Sequence, residues 1–186
     1  MRIVGGTFKG RKIVAPAGLI ARPTTDRVRE SIFNILSARN DFSFENAKII
    51  DLFAGTGALG LEAMSRGGAM CLFIDTDASA RAAIRNNVET LDLTGLTRIH
   101  RRSAIALGDL PASAGGPFDI AFLDAPYREN LTTPALQSLL EGHWLHAASL
   151  IIVEQHKNEP TPEINQLIVD DHRVYGDTQI TICKLR

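Results

Sequence analysis

The chain has 186 residues, of which 45% are hydrophobic and 22% charged, and its formal net charge is −1. This length fits one full domain with a small appendage, and a chain of this size buries enough surface on folding to need no disulfide. The two cysteines, Cys71 and Cys183, exclude a disulfide-rich scaffold and a cysteine-based zinc cluster. The sequence has neither an apolar run long enough for a membrane span nor a signal-peptide pattern, so we expect a cytoplasmic protein.

The charge is unevenly distributed along the chain. Residues 1–39 contain eight Lys and Arg against two Asp and Glu, a formal charge of +6, whereas the other 147 residues contain 12 basic and 19 acidic side chains, or −7. This asymmetry is typical of a nucleic-acid-contacting extension on an acidic body, and a basic face that is only solvated is the alternative. We therefore predict an extension over residues 1–39 and a body over residues 40–186.

The extension is expected to contain a hairpin and a helix. Residues 2–4 and 11–14 suit two short strands joined by a glycine-rich turn. Thr24 or Thr25 can cap the helix that follows. Its apolar residues recur at helical spacing and form one stripe: Val28, Ile32, Ile35 and Leu36.

The body alternates short apolar runs with helical stretches, which predicts βαβ units and a Rossmann-like α/β fold with a mostly parallel, twisted sheet. The predicted strands cover residues 49–53, 70–74, 98–101, 118–123 and 150–153, and the predicted helices cover residues 58–66, 78–91 and 134–141. The tail alternates polar and apolar residues over 166–175 and 178–185, around Gly176 and Asp177. That pattern predicts a C-terminal antiparallel hairpin at or near one edge of the sheet.

A glycine-rich loop follows the first predicted strand. Gly55, Gly57 and Gly60 match the dinucleotide fingerprint, in which glycines permit a tight turn, a close ligand and close packing of the next helix on the strand. Asp75 comes 20 residues after Gly55 and is placed to accept hydrogen bonds from both hydroxyls of a ribose. The pattern predicts recognition of adenosine, in either NAD or S-adenosylmethionine.

Asp51 favours the second of these cofactors. Its carboxylate ends the first strand, four residues before Gly55, where it would repel a pyrophosphate and attract the ammonium and sulfonium groups of S-adenosylmethionine. The sequence near the loop has no Gly-Lys-Ser/Thr pattern, so it does not support a phosphate-binding P-loop.

The strand over residues 118–123 leads into Asp124, Ala125, Pro126 and Tyr127. The Asp124 carboxylate and the Ala125 carbonyl form an acceptor pair that could bind both hydrogens of an amino group on an aromatic base. Such a pair would turn the nitrogen lone pair towards a methyl donor and stabilise the developing positive charge. Tyr127 offers a ring on which an extruded base can stack. A simple turn with a surface aromatic is the alternative.

The glycine loop and this tetrad together resemble the amino-group methyltransferases, whose motif is Asp/Asn-Pro-Pro-Tyr/Phe. More narrowly, four segments resemble the RsmD family of bacterial 16S rRNA guanine-N2 methyltransferases: RIVGGTFKGR at 2–11, RPTTDRVRE at 22–30, FN at 33–34 and YGDT at 175–178. Ala125 departs from the family's usual proline. The carbonyl of this residue is retained, but the ring that stiffens the loop is lost.

The resemblance implies methyl transfer to N2 of one guanine of 16S rRNA, guanine 966 in the family, by a monomer acting on the 30S subunit or its assembly intermediate without a metal ion. The catalytic set is then Asp124, Ala125, Pro126 and Tyr127. The residues expected to bind S-adenosylmethionine are Asp51, Phe53, Gly55, Thr56, Gly57, Asp75 and Ser103. The residues expected to contact RNA phosphates are Arg2, Lys9, Arg11, Lys12, Arg22, Arg27 and Arg29.

Other assignments remain open at this point. Ser103 is also explained as a helix cap. An adenine-N6 DNA methyltransferase shares the loop and the tetrad, and the preference for guanine rests on the resemblance. An NAD-dependent oxidoreductase and an RNA-binding module without activity are the alternatives from other classes. The residues do not decide whether Asp124 or water receives the amine proton.

Overall fold

A seven-stranded sheet forms the centre of the molecule. The computed structural model describes residues 1–16, 26–127 and 129–186. The strands are β1 (Lys48–Leu52), β2 (Met70–Ile74), β3 (Thr97–His100), β4 (Phe118–Asp124), β5 (Leu145–His156), β6 (Leu167–Tyr175) and β7 (Thr178–Leu185). The helices are α1 (Asp26–Ser37), α2 (Ala58–Ser65), α3 (Ala78–Thr90) and α4 (Thr132–Glu141).

The strands lie in the order β3-β2-β1-β4-β5-β7-β6. The first five in this order are parallel, and β7 runs antiparallel to both β5 and β6. The mostly parallel sheet and its C-terminal antiparallel hairpin are thereby confirmed, with β6 at the edge and β7 next to it. The strand order reverses between β1 and β4, and ligands of open α/β sheets bind beyond the carboxyl ends of the strands at such a point.

Most strand boundaries lie within a residue of the prediction, and the differences at β5 and at the end of β1 have identifiable causes. β5 is longer than the apolar run at 150–153, because its first residues pair with the start of β4 and its last residues pair with β7. β1 ends at Leu52 because Phe53 has a φ of 56°, a left-handed backbone that starts the turn into the glycine loop.

Alternating side chains of the strands build one apolar core on each face of the sheet. Ile49 and Phe73 face α1, α2 and α3, whereas Ile50 and Leu72 face α4 and Trp144. Within the described ranges, no helix has the length and apolarity needed to cross a membrane.

The N-terminal segment, residues 1–16, packs on the same core as α2 and α3, with Ile3 and Ile13 buried there. It turns back on itself as predicted, but a single antiparallel bridge between Arg2 and Lys12 replaces the two expected strands. The backbone N–H groups of Val4, Thr7 and Val14 donate to the body and so are not used for pairing between the two arms. The expected helix cap, Thr24 or Thr25, lies outside the described residues.

Candidate active site

A cavity of about 710 Å³ opens beyond the carboxyl ends of β1, β2 and β4. This volume is typical of a small-molecule site. Its wall brings together most of the residues that the sequence analysis assigned to the cofactor and to catalysis: Asp51, Phe53, Gly55, Thr56, Asp75, Ser103, Asp124, Ala125, Pro126 and Tyr127. Residues from separate strands and loops are therefore placed around one space.

The three glycines of the loop have different roles. Gly55 lies in the cavity wall with a φ of +53°. Gly57 is buried behind the loop and does not appear in the wall; a Cβ there would lie 3.2 Å from the Phe73 ring. At Gly60 a Cβ would lie only 2.5 Å from the same ring, so glycine is what lets α2 pack on β2. The structure thus gives Gly57 a packing contact, and its expected contact with the cofactor stays a prediction.

Asp75 follows β2 and is held by two backbone N–H groups. Its Oδ2 accepts from Gly55 at 2.8 Å, and its Oδ1 accepts from Asp77 at 2.8 Å. Each carboxylate oxygen keeps a second lone pair for another donor. The side chain that was expected to bind ribose is therefore oriented in advance on the wall of the cavity.

Asp51 lies deeper, with only 2% of its surface exposed, and its Oδ2 accepts the Gly60 N–H at 2.9 Å. Burial raises the pKa of its carboxyl well above the ordinary value, and the negative charges of Asp124 and Asp75 raise it further. A cation placed beside Asp51 would oppose both effects and favour the carboxylate form. The ionisation of Asp51 is therefore coupled to the charge of a ligand bound in the cavity.

The Asp124–Tyr127 tetrad begins at the last residue of β4, and all of it borders the cavity. Tyr127 is half-buried, and its hydroxyl donates to Glu154 at 3.3 Å and lies 3.4 Å from the Thr178 hydroxyl. Burial, together with the nearby Glu154 and Asp124 charges, raises the pKa of Tyr127, so the phenol stays protonated. The His156 ring contacts the tyrosine edge-on, with 5.8 Å between centroids.

Glu154 is a site residue that the sequence analysis missed. It is 3% exposed, belongs to β5 and lies directly opposite Asp124 in the parallel pairing of β4 and β5. Its position could have been found, because it is the first acid after the apolar run of β5 and therefore shares the carboxyl edge of the sheet with Asp124.

Ser103 lies in the cavity wall beside Arg102, a residue that the sequence analysis did not single out. Ser103 precedes a short 3₁₀ turn, but its side chain makes no capping hydrogen bond, so the alternative assignment as a cap has no support. The guanidinium of Arg102 lies 5.8 Å from the centre of the buried Trp144 ring, a cation–π contact that favours this orientation.

Five of the seven basic residues assigned to RNA are exposed: Arg2, Lys9, Arg11, Lys12 and Arg27. Arg22 lies outside the described residues. The assignment of Arg29 to RNA phosphates is wrong, because this side chain is fully buried. It donates to Asp26 at 2.9 Å and to the Arg2 carbonyl, and it lies 3.9 Å from Glu62.

The error at Arg29 has a simple cause in the helix period. Arg29 precedes Ile32 and Phe33 by three and four residues, so all three side chains share one face of α1. That face packs on the sheet, where the Phe33 ring lies 5.6 Å from that of Phe122 in β4. Glu62 in α2 is also fully buried, and it accepts the Val4 N–H at 2.8 Å. Arg29 and Glu62 thus hold the N-terminal segment, α1 and α2 together.

No cluster of three or more His, Cys, Asp or Glu side chains suited to a metal ion occurs in the part of the chain that the structure describes.

The fold and the cavity define a class I methyltransferase. The solved structure of the Escherichia coli protein yhhF is similar over 100% of this chain and 98% of that chain, with a TM-score of 0.83 and 33% sequence identity.

The family model described as Conserved hypothetical protein 95 matches residues 1–184. The chain is 37% identical to Ribosomal RNA small subunit methyltransferase D of Escherichia coli strain K12 over 164 residues, which are 88% of this chain and 79% of the relative. It is 36% identical to the Bacillus subtilis protein YlbH over the full length of both chains. The chain belongs to this family, the RsmD family, and is a methyltransferase.

Proposed function

We propose that this protein transfers a methyl group from S-adenosylmethionine to the exocyclic N2 of one guanine of 16S rRNA, guanine 966 in the family, in the 30S subunit or its assembly intermediate. The name of the Escherichia coli relative supports the ribosomal substrate. One observation carries the proposal: the Asp124–Tyr127 tetrad and the Gly55–Asp75 pair border the same cavity. A base and an adenosine cofactor can therefore meet there.

The cavity residues fit S-adenosylmethionine. Asp75 can accept from the ribose hydroxyls, and Asp51 lies where a cationic group would stabilise its carboxylate. Ser103 and Arg102 border the same cavity, where Ser103 would contact the adenine. Bound S-adenosylmethionine supplies an electrophilic methyl group on a positively charged sulfur.

Asp124 and Ala125 prepare the amino group of the base. Guanine N2 is a poor nucleophile, because its lone pair is delocalised into the ring. The Asp124 carboxylate and the Ala125 carbonyl accept its two hydrogens, direct the lone pair at the methyl carbon and stabilise the positive charge on nitrogen as the carbon–sulfur bond breaks. The surplus proton then passes to Asp124 or to water.

Tyr127 holds the plane of the base. Stacking on an aromatic ring contributes about 1–3 kcal/mol per base. The hydrogen bond from the tyrosine hydroxyl to Glu154 orients the ring. Ala125 stands where the family usually has proline and is only 5% exposed, so packing around it takes over part of the proline's role of stiffening the loop.

The exposed cations of residues 1–39 contact RNA phosphates, and residues 40–186 bind the cofactor. Lys9, Arg11 and Lys12 lie together in the turn and second arm of the N-terminal segment, and Arg27 is exposed on α1. Phosphate contacts of this kind position the substrate without reading its sequence. The protein acts as a cytoplasmic monomer.

The substitution Asp124→Ala tests the proposed chemistry. It removes the acceptor for the amino group of the base, so turnover should fall by about 100-fold or more while the affinity for S-adenosylhomocysteine changes little. Asp119→Ala is the matched control, because Asp119 lies near the opposite end of β4, where it bonds to His146 at 2.9 Å. Full turnover in Asp124→Ala, or a loss of turnover that matches an equal loss of S-adenosylhomocysteine binding, would contradict the assignment.

A further inference from the structure

The N-terminal segment forms part of the cavity wall. Met1, Ala15 and Pro16 border the cavity together with Gly55 and Thr56 of the glycine loop. The same segment carries exposed Lys9, Arg11 and Lys12. One short piece of chain therefore faces both the cavity of the cofactor and the surface assigned to RNA.

Asn87 ties this segment to the glycine loop. It belongs to α3 and is 2% exposed. Its Oδ1 accepts the Val14 N–H at 2.8 Å, and its Nδ2 donates to the Val14 carbonyl at 3.0 Å and to the Thr56 carbonyl at 3.0 Å. Asn87 thus donates one amide hydrogen to the N-terminal segment and the other to the glycine loop, and both segments line the cavity. The Val14 N–H also determines which end of the amide is the oxygen.

At Val14 the chain is held by its hydrogen bonds to Asn87. Val14 itself is 52% exposed and gains little from burial, although the neighbouring Ile13 packs on the core. A buried carboxamide is costly unless its polar atoms are paired, and the Val14 and Thr56 backbones pair those of Asn87. Moving either backbone away would leave a buried donor without its partner. The N-terminal segment and the glycine loop therefore stabilise each other's positions through Asn87.

We propose that Asn87 is a positioning residue that links the N-terminal segment to the glycine loop, so that RNA binding to the segment and cofactor binding in the cavity strengthen each other. This inference rests on the function proposed above. A ligand that orders the glycine loop stabilises the docked segment, and RNA that holds the segment stabilises the cavity wall. Such coupling is reciprocal, because both ligands favour the same arrangement.

Two substitutions at Val14 distinguish the effect of its backbone hydrogen bond to Asn87 from the effect of its side chain. Val14→Pro removes the N–H that Asn87 accepts, and Val14→Ala keeps that N–H while it shortens an exposed side chain. Asn87→Asp is a second probe, because it keeps the shape but places an acceptor oxygen opposite the Val14 and Thr56 carbonyls. If this buried substitution prevents folding, the Val14 pair still decides the question.

The measurement is the affinity for radiolabelled S-adenosylhomocysteine by equilibrium dialysis, with and without saturating small ribosomal subunits from cells that lack this protein. The dissociation constant without subunits, divided by the constant with subunits, should be about 5 or more for the wild type and for Val14→Ala. It should fall close to one for Val14→Pro and for Asn87→Asp. A residue that only stabilises the fold would alter both constants without changing their ratio.

An undiminished ratio in Val14→Pro, or a ratio of one in the wild type, would overturn the link and leave the proposed methyl transfer intact. A wild-type protein that binds no S-adenosylhomocysteine would overturn the proposed function and the link with it. The two failures are therefore distinguishable in one experiment.

Discussion

The Asp75 carboxylate and the Gly55 N–H are joined by a hydrogen bond of 2.8 Å, which ties the end of β2 to the glycine loop that follows β1. The acid therefore shapes the loop as well as facing the cavity, and both roles depend on the same pair of oxygens.

Asp75→Ala should weaken binding of S-adenosylhomocysteine by about 10- to 100-fold, because it removes the acceptors for the ribose hydroxyls and frees the loop. Hydrogen bonds to a charged group contribute about 1.5–3 kcal/mol each, and this loss would account for such a change. Isothermal titration calorimetry measures it. Glu89→Ala, at an exposed acid of α3, is the control. Unchanged affinity in Asp75→Ala would contradict the assignment of Asp75 to the cofactor-binding site.

Tyr127 should act through its ring. Tyr127→Phe keeps the stacking face and loses only the bonds to Glu154 and Thr178, so methylation should continue with a modest change. Tyr127→Ala loses the stacking of about 1–3 kcal/mol and should raise KM for the RNA substrate by about 10- to 100-fold. Steady-state assays with varied RNA concentration measure both. Equal loss in the two variants would point to the hydroxyl instead.

Arg29 should contribute to stability more than any surface arginine does. Arg29→Met removes the hydrogen bonds to Asp26 and the Arg2 carbonyl and leaves the buried Glu62 with Arg66, 3.0 Å away, as its cation partner. The substitution should lower the free energy of unfolding by about 3 kcal/mol. Arg27→Ala, two residues away on the exposed side of α1, should change it by less than about 0.5 kcal/mol and should weaken RNA binding. Urea denaturation compares the two. Equal stabilities would contradict the buried role of Arg29.

A charged cluster joins the segment after α1 to the sheet edge. Arg39 lies 2.8 Å from Asp41 and 2.7 Å from Asp170, and Lys184 lies 2.7 Å and 2.8 Å from the same acids. Hydrogen bonds from Arg39 and then Lys184 lower the pKa of Asp41, and hydrogen bonds from Lys184 and then Arg39 lower that of Asp170. The ionised forms of Asp41 and Asp170 therefore stabilise the folded state.

The contribution of this cluster to stability should be complete above the ordinary carboxyl pKa of about 4 and should disappear as the pH falls through the lowered values. Replacing both acids with asparagine should cost about 1 kcal/mol at neutral pH and low salt, and less at high salt, because the pairs are partly exposed. Urea midpoints across pH measure the difference. A difference that grows on acidification would contradict this sign.

The parts of the site carried by local sequence could be predicted. The glycine loop, Asp75 and the Asp124–Tyr127 tetrad each end a strand, and parallel strands bring their carboxyl ends to one edge. What could not be predicted depends on contacts distant in sequence. The helix period places Arg29 on the buried face of α1, but a charge is tolerated there because Glu62, in another helix, lies 3.9 Å away. Asn87 shows no motif, since its partners Val14 and Thr56 are joined to it only by the fold.

The position of the transferred methyl group tests the proposed function most directly. Small ribosomal subunits from cells without this protein are incubated with the purified protein and methyl-labelled S-adenosylmethionine, and the rRNA is mapped by mass spectrometry, with duplex DNA as the parallel substrate. We expect label on N2 of a single guanine of 16S rRNA. Label on adenine N6, transfer to DNA, or active protein that leaves the subunits unlabelled would contradict it.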